Sequence, residues 1–237
     1  MLIIKNLEKQ YKGTNKGIFD ISLHIEKGDI YAFIGHNGAG KTTLLKAVTG
    51  IHDFDRGSIM IDGMDLRQNP VEVKKRFAYV PDNPDIYEFM TGIQYLNFIA
   101  DVFEVSAAER KQRITDLAGR FEITDSLGDL ISSYSHGMKQ KLVLISALLH
   151  APKLLIMDEP FVGLDPKAAF LLKESMHEMT ERGGAIFFST HVLEVAEKLC
   201  NKVAIIKEGR LITSGLMSEV IKDQSSLESL FMETVGE

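Results

Sequence analysis

The chain has 237 residues, 45% of them hydrophobic and 25% charged, and a formal net charge of −6. That length suits one generous α/β domain or a domain with a sizeable lobe inserted, with enough core to need neither disulfides nor a structural metal. The acidic balance excludes a broad basic nucleic-acid face, and a single cysteine, Cys200, excludes an internal disulfide and fits a reducing compartment.

Residues 2–7 and 18–25 alternate as strands do, the second reading Ile-Phe-Asp-Ile-Ser-Leu-His-Ile. The N-terminus, Met1-Leu2-Ile3-Ile4-Lys5-Asn6, turns polar too soon for a signal peptide. Gly28-Asp29 leads into the apolar strand Ile30–Ile34, then a glycine-rich loop and a helix Lys41–Val48 that Gly50 can cap. Strands follow at 58–61 and Phe77–Val80, with Asp62-Gly63 as a turn. From Pro84 to Pro152 the pattern becomes helical: 93–103, Ala107–Arg120 and the strongly apolar 138–149. Within it the longest apolar run, 142–149, is broken by Ser146 and far too short to cross a bilayer. Alternation then resumes, with strands at 154–157, 185–189 and 203–206 and helices at 167–182 and 192–200. From Leu216 onward the tail reads as short, partly acidic helices. Near-continuous apolar strands alternating with helices predict a parallel sheet covered on both faces. We therefore expect a cytoplasmic α/β protein that reaches any membrane through a partner.

Gly35-His36-Asn37-Gly38-Ala39-Gly40-Lys41-Thr42 fits the G-x-x-x-x-G-K-[ST] pattern, with a strand before it and a helix after it. Glycines let successive N–H groups turn toward phosphate oxygens, and the helix N-terminus adds its dipole. Lys41 brings charge to the β- and γ-phosphates, and the Thr42 hydroxyl can ligate Mg²⁺. A second constellation follows the strand at 154–157, which ends in Asp158-Glu159. Ligands sit at the carboxyl ends of parallel strands, so Asp158 is placed to hold Mg²⁺, directly or through water. Glu159 can orient or deprotonate an attacking water, and His191, after another apolar strand, can hydrogen-bond the γ-phosphate or that water. The other histidines form no cluster with metal-ligand spacing outside these motifs.

Between the helical lobe and the strand to Asp158 stands Ser133-Tyr134-Ser135-His136-Gly137-Met138-Lys139-Gln140. A serine and a glycine opening an apolar helix make an anion site. This segment resembles the signature motif of ABC transporter ATPases, usually Leu-Ser-Gly-Gly-Gln, and the resemblance covers nearly the whole chain in order. On that resemblance Tyr11 stacks on adenine, and residues 35–43, including Thr43, are the Walker A loop. Residues 134–138 are the signature, with Ser135, Gly137 and Met138 contacting the nucleotide of the opposite subunit. Residues 154–158 with Glu159 are Walker B and its catalytic glutamate, Gly163-Leu164-Asp165 the D-loop, and His191 the switch histidine.

The resemblance implies a P-loop NTPase fold with a parallel core sheet, an N-terminal antiparallel β subdomain and an inserted α-helical subdomain. Residues 1–83 and 153–215 would form the core with the β subdomain, 84–152 the signature-bearing lobe and 216–237 a helical tail. It also implies ATP and Mg²⁺ as cofactors and closure of two subunits, a homodimer or heterodimer, around two ATP molecules. Integral-membrane permease subunits would be separate partners at the inner face of the cell membrane, with no nucleic acid. Three positions depart from the pattern. His136 replaces a glycine, Met138 a glutamine, and Asp82 stands where the Q-loop glutamine usually meets Mg²⁺. A carboxylate can still serve a metal there. The Ser-x-Gly-Met-x-Gln signature is similar to that of ATPases paired with exporter permeases, and Tyr87 and Phe89 are placed to face such a partner. A soluble ABC-type ATPase acting on ribosomes or DNA is the alternative, and a P-loop kinase the more distant one.

Overall fold

The computed structural model describes residues 1–222 and 224–235. Two sheets form. Strands β1 (Leu2–Gln10), β2 (Gly17–Ile25), β4 (Arg56–Ile61) and β5 (Met64–Asp65) make an antiparallel sheet in the order β2-β1-β4-β5. The larger sheet uses β3 (Ile30–Ile34), β6 (Phe77–Val80), β7 (Leu154–Asp158), β8 (Ala185–Thr190), β9 (Lys202–Lys207) and β10 (Arg210–Leu216), in the order β10-β9-β3-β8-β7-β6. Five of these strands run parallel, whereas β10 returns antiparallel to β9. The sheet is therefore mixed at one edge, where the sequence pattern predicts parallel strands only. The connection is the two-residue turn Glu208-Gly209, both at positive φ (48° and 77°), which suits a tight hairpin.

The side-chain period of two divides the molecule into two cores. Along β3, Tyr31 and Phe33 face the antiparallel sheet and the helix α1 (Lys41–Val48), whereas Ile30, Ala32 and Ile34 face the helices on the other side. The same split recurs on β7, with Leu154 and Ile156 on one face and Leu155 and Met157 on the other, and on β8, with Phe187 opposed to Phe188. Each such fully buried aromatic contributes about 2 to 3 kcal/mol of apolar transfer.

β6 and β7 are adjacent and parallel, so the chain must cross over between them. The crossover holds α3 (Gly92–Val102), α4 (Ala107–Arg120) and α5 (His136–Leu149), after the short α2 (Pro70–Lys74) that precedes β6. Thr91 opens α3 with a reciprocal capping box to Gln94, and Ser106 caps α4 through the N–H of Glu109. α6 (Pro166–Glu181), α7 (Leu193–Leu199), α8 (Met217–Val220) and α9 (Leu227–Val235) complete the fold. Because β3, β8, β7 and β6 are neighbours in that order, the loops at their carboxyl ends emerge side by side. Among the described residues no helix is long and apolar enough to cross a membrane.

Candidate nucleotide site

A cleft of about 320 Å³ lies over these carboxyl ends, lined by Tyr11, Lys16, Gly17 and Thr43, by His36, Asn37, Gly38, Gly40, Lys41 and Thr42 of the glycine-rich loop, and by Asp82, Asp158 and Glu159. The loop's glycines have different reasons. Gly40 precedes α1 at φ 111°, open to glycine alone, whereas a Cβ on Gly35 would lie 2.6 Å from the Ile206 carbonyl oxygen of β9. Gly35 is thus demanded by backbone approach. Ala39 is buried beneath the loop, and its carbonyl accepts from Gly209 N–H at 2.8 Å.

The Lys41 ammonium is almost wholly buried and donates to the carbonyls of Gly35 at 2.7 Å and His36 at 3.3 Å. It also lies 3.5 Å from Glu159 Oε1. The other Glu159 oxygen meets His191 Nδ1 at 2.9 Å and accepts from the His191 backbone N–H at 3.3 Å. One carboxylate thus joins the phosphate-loop lysine to the histidine of a different strand end. Glu159 itself sits at φ 49°, a left-handed conformation that costs a non-glycine residue on the order of 1 kcal/mol. Its N–H is held by the carbonyl and hydroxyl oxygens of Ser189, at 3.2 and 3.1 Å. The same hydroxyl donates to Asp158 Oδ1. Ser189 thus holds the Asp158 carboxylate and the Glu159 backbone, and the sequence reading missed it. Its position two residues before His191, at a strand end beside β7, is the signal that could have found it.

Asp158 is buried, and burial raises its carboxyl above the ordinary range against the pull of the Ser189 and Thr42 hydroxyls. Its Oδ2 is buried without a hydrogen-bond partner. An orphaned, desolvated carboxylate oxygen in a cleft that also presents the Thr42 hydroxyl and Asp82 fits a hard divalent cation, whose charge would favour the ionised form. Tyr11 stands at the rim, 37% exposed, its hydroxyl 3.2 Å from Thr43 Oγ1 and its ring edge-on to His52.

Ser135, Gly137 and Met138 are not among the residues lining this cleft. They open α5, where the Ser135 hydroxyl accepts from the Met138 N–H at 3.2 Å. The same turn is clasped by the segment that follows Glu159. A Cβ on Gly163 would fall 2.7 Å from the His136 ring, one on Gly137 would lie 3.3 Å from the Gly163 carbonyl, and Lys141 pairs with Asp165 at 2.9 Å.

The family model described as "ABC transporter" matches residues 18–162. The chain belongs to the ABC transporter family. It is 33% identical to the ABC-type transporter ATP-binding protein EcsA of Bacillus subtilis (strain 168), over all of this chain and 97% of EcsA. A solved structure of the ATP binding subunit of an ABC transporter superposes with a TM-score of 0.94 at 34% identity, covering 99% of both chains. CbiO1 from Clostridium perfringens, described as part of the ABC transporter complex cbiONQ, gives 0.79 at 26% identity, covering 94% of this chain and 90% of its own. The chain is thus an ABC transporter ATPase, the ATP-binding subunit of such a transporter.

Proposed function

We infer that the cleft of residues 35–43 holds the ATP phosphates and that hydrolysis there drives transport through separate permease subunits. The observation that carries this reading is the chain of contacts Lys41–Glu159–His191, which places a cation, a carboxylate and an imidazole around one point at the mouth of the phosphate loop. Lys41 and the loop N–H groups bind the β- and γ-phosphates, Tyr11 meets the adenine, and Thr42, Asp158 and Asp82 hold Mg²⁺. The metal neutralises phosphate charge when bound. Glu159 accepts a proton from, or orients, the attacking water, and His191 holds Glu159 and the γ-phosphate side in register.

Ser135, Gly137 and Met138 lie outside the cleft, so they serve a nucleotide held by another cassette, and the working unit is a dimer. The division of labour follows: residues 1–83 and 153–215 bind nucleotide, 84–152 carry the signature and 216–237 form the tail. Tyr87, Phe89 and Phe98 form an exposed aromatic group on the inserted lobe, with Tyr87 5.7 Å from Phe89 and 5.8 Å from Phe98 between centroids. Such a patch suits a protein partner, and we assign it to the permease at the inner membrane face. CbiO1's membership of a multi-subunit complex supports a partnered cassette. The signature style favours export. Glu159→Gln tests the assignment: ATP turnover falls by at least about a hundredfold while ATP-dependent dimers persist in gel filtration. Near-wild-type turnover would sink it.

A further inference from the structure

The helix α9 reaches the phosphate loop. Phe231, buried at 7% exposure, meets the His36 imidazole edge-on, with ring centroids 4.8 Å apart and planes at 63°. His36 also lines the nucleotide cleft, so the imidazole stands between the cleft and α9. Its backbone belongs to the cradle, since its carbonyl accepts from Lys41 Nζ at 3.3 Å and from the Ala39 N–H at 3.1 Å. The N-terminal end of α9 is tied elsewhere. The Leu227 N–H donates to Glu197 Oε2 of α7 at 2.8 Å, and Leu227 and Phe231 share an apolar cluster with Ala196 and Cys200. α7 begins two residues after His191. α9 therefore spans from the loop that carries Lys41 to the helix that follows His191, the two groups that meet at Glu159. An apolar seat alone would accept leucine; the edge-on pair is what an aromatic ring adds.

We propose that Phe231 is a positioning residue for nucleotide binding, and that α9, anchored on α7, holds the His36 end of the phosphate loop in its cradle conformation before nucleotide arrives. A loop ordered in advance loses less conformational entropy on binding, so the contact acts on affinity. Phe231 touches no reacting atom, so it leaves the chemical step alone. The proposal rests on the reading of residues 35–43 as the phosphate site.

The test is a cycle of full-length variants, Phe231→Leu, His36→Ala and both together, with the ADP–Mg²⁺ Kd read by calorimetry and melting temperatures as a folding control. Phe231→Leu keeps the apolar volume, so its melting temperature stays close to that of the wild type. Its Kd rises about three- to tenfold, the range expected from losing one aromatic pair. On the His36→Ala background the same change adds nothing, and in steady-state assays KM rises while kcat holds. An unchanged Kd in Phe231→Leu, or factors that multiply in the double variant, overturns the proposal. Lys41→Ala separates the two readings. If Lys41→Ala binds ADP like the wild type, the phosphate site itself is wrong; if it loses binding while the Phe231 variant does not, only the role of α9 fails.

Discussion

Two helix N-termini in this molecule are built from the same physics and finished differently. α1 opens from a glycine-rich loop and α5 carries Gly137 in its first turn, and neither has an acidic residue there, as in α3 and α6 but in contrast to α2, α4 and α7. Both therefore leave a positive helix end uncompensated by their own sequence. α1 has no side-chain cap, and its free donors face a cleft walled by Lys41, Asp158 and Glu159 of the same chain. α5 has a serine cap on one donor, and none of its first-turn residues lines that cleft. The first end carries its own cation, carboxylates and metal donors. The second offers backbone donors, the Ser135 hydroxyl and a Lys139 already paired with Glu88, with no carboxylate of its own first turn to serve a metal, which is what half of a shared site looks like.

The strongest way to break the contrast is to remove the cation that distinguishes α1. Lys41 is buried and makes two bonds to loop carbonyls besides its pairing with Glu159. Lys41→Ala costs charge-assisted bonds to phosphate and leaves Glu159 without its cation. ATP affinity by calorimetry falls by about a hundredfold or more, equal to about 3 kcal/mol. If affinity holds, the α1 end is no more a phosphate site than the α5 end, and the comparison collapses.

How legible each end is in the sequence follows from whether its determinants are local. The phosphate loop declares itself through contiguous residues, and the helix Lys41–Val48 begins and ends where the pattern predicts. The same holds for Ala107–Arg120, whose apolar face and Ser106 cap are both local signals. β10 was missed because it is an edge strand, nowhere fully buried, whose apolar alternation breaks down over Thr213-Ser214-Gly215; only the Glu208-Gly209 turn marks it. Ser189 and Phe231 escaped for a different reason. A serine at a strand end and a phenylalanine in a tail become meaningful only when β8 is laid beside β7 and α9 beside the phosphate loop. The departures from the family pattern behave likewise. His136 acquires a physical account only once its ring is seen over Gly163, 27 residues further along the chain.

That contact sharpens the comparison at intermediate cost. Gly163 has φ 80°, and a Cβ there would lie 2.7 Å from the His136 ring. Gly163→Ala therefore incurs backbone strain of about 1 kcal/mol and displaces His136, for a total loss of about 2 to 3 kcal/mol in urea unfolding. Adding His136→Gly removes the clash and leaves the backbone part. A recovery of about half the loss means that the α5 end is braced by its own chain. A double variant no better than the single one would mean that the ring is not what Gly163 accommodates.

The smallest effect discriminates best between a cap and a shared ligand site. Ser135 is the N-cap of α5, and Ser135→Ala removes one hydrogen bond to the Met138 N–H, a loss of about 1 kcal/mol in unfolding free energy. A cap alone predicts that loss and no more. Asparagine is as good a cap as serine, so Ser135→Asn restores stability, while its bulkier amide replaces the hydroxyl. If the α5 end receives a second nucleotide, ATP affinity of the isolated chain is unchanged in both variants. ATP-dependent self-association, measured in the Glu159→Gln background, is then lost in both, although Ser135→Asn is as stable as the parent. If Ser135→Asn associates normally, Ser135 is a cap and the phosphate of a second subunit is not held by its hydroxyl.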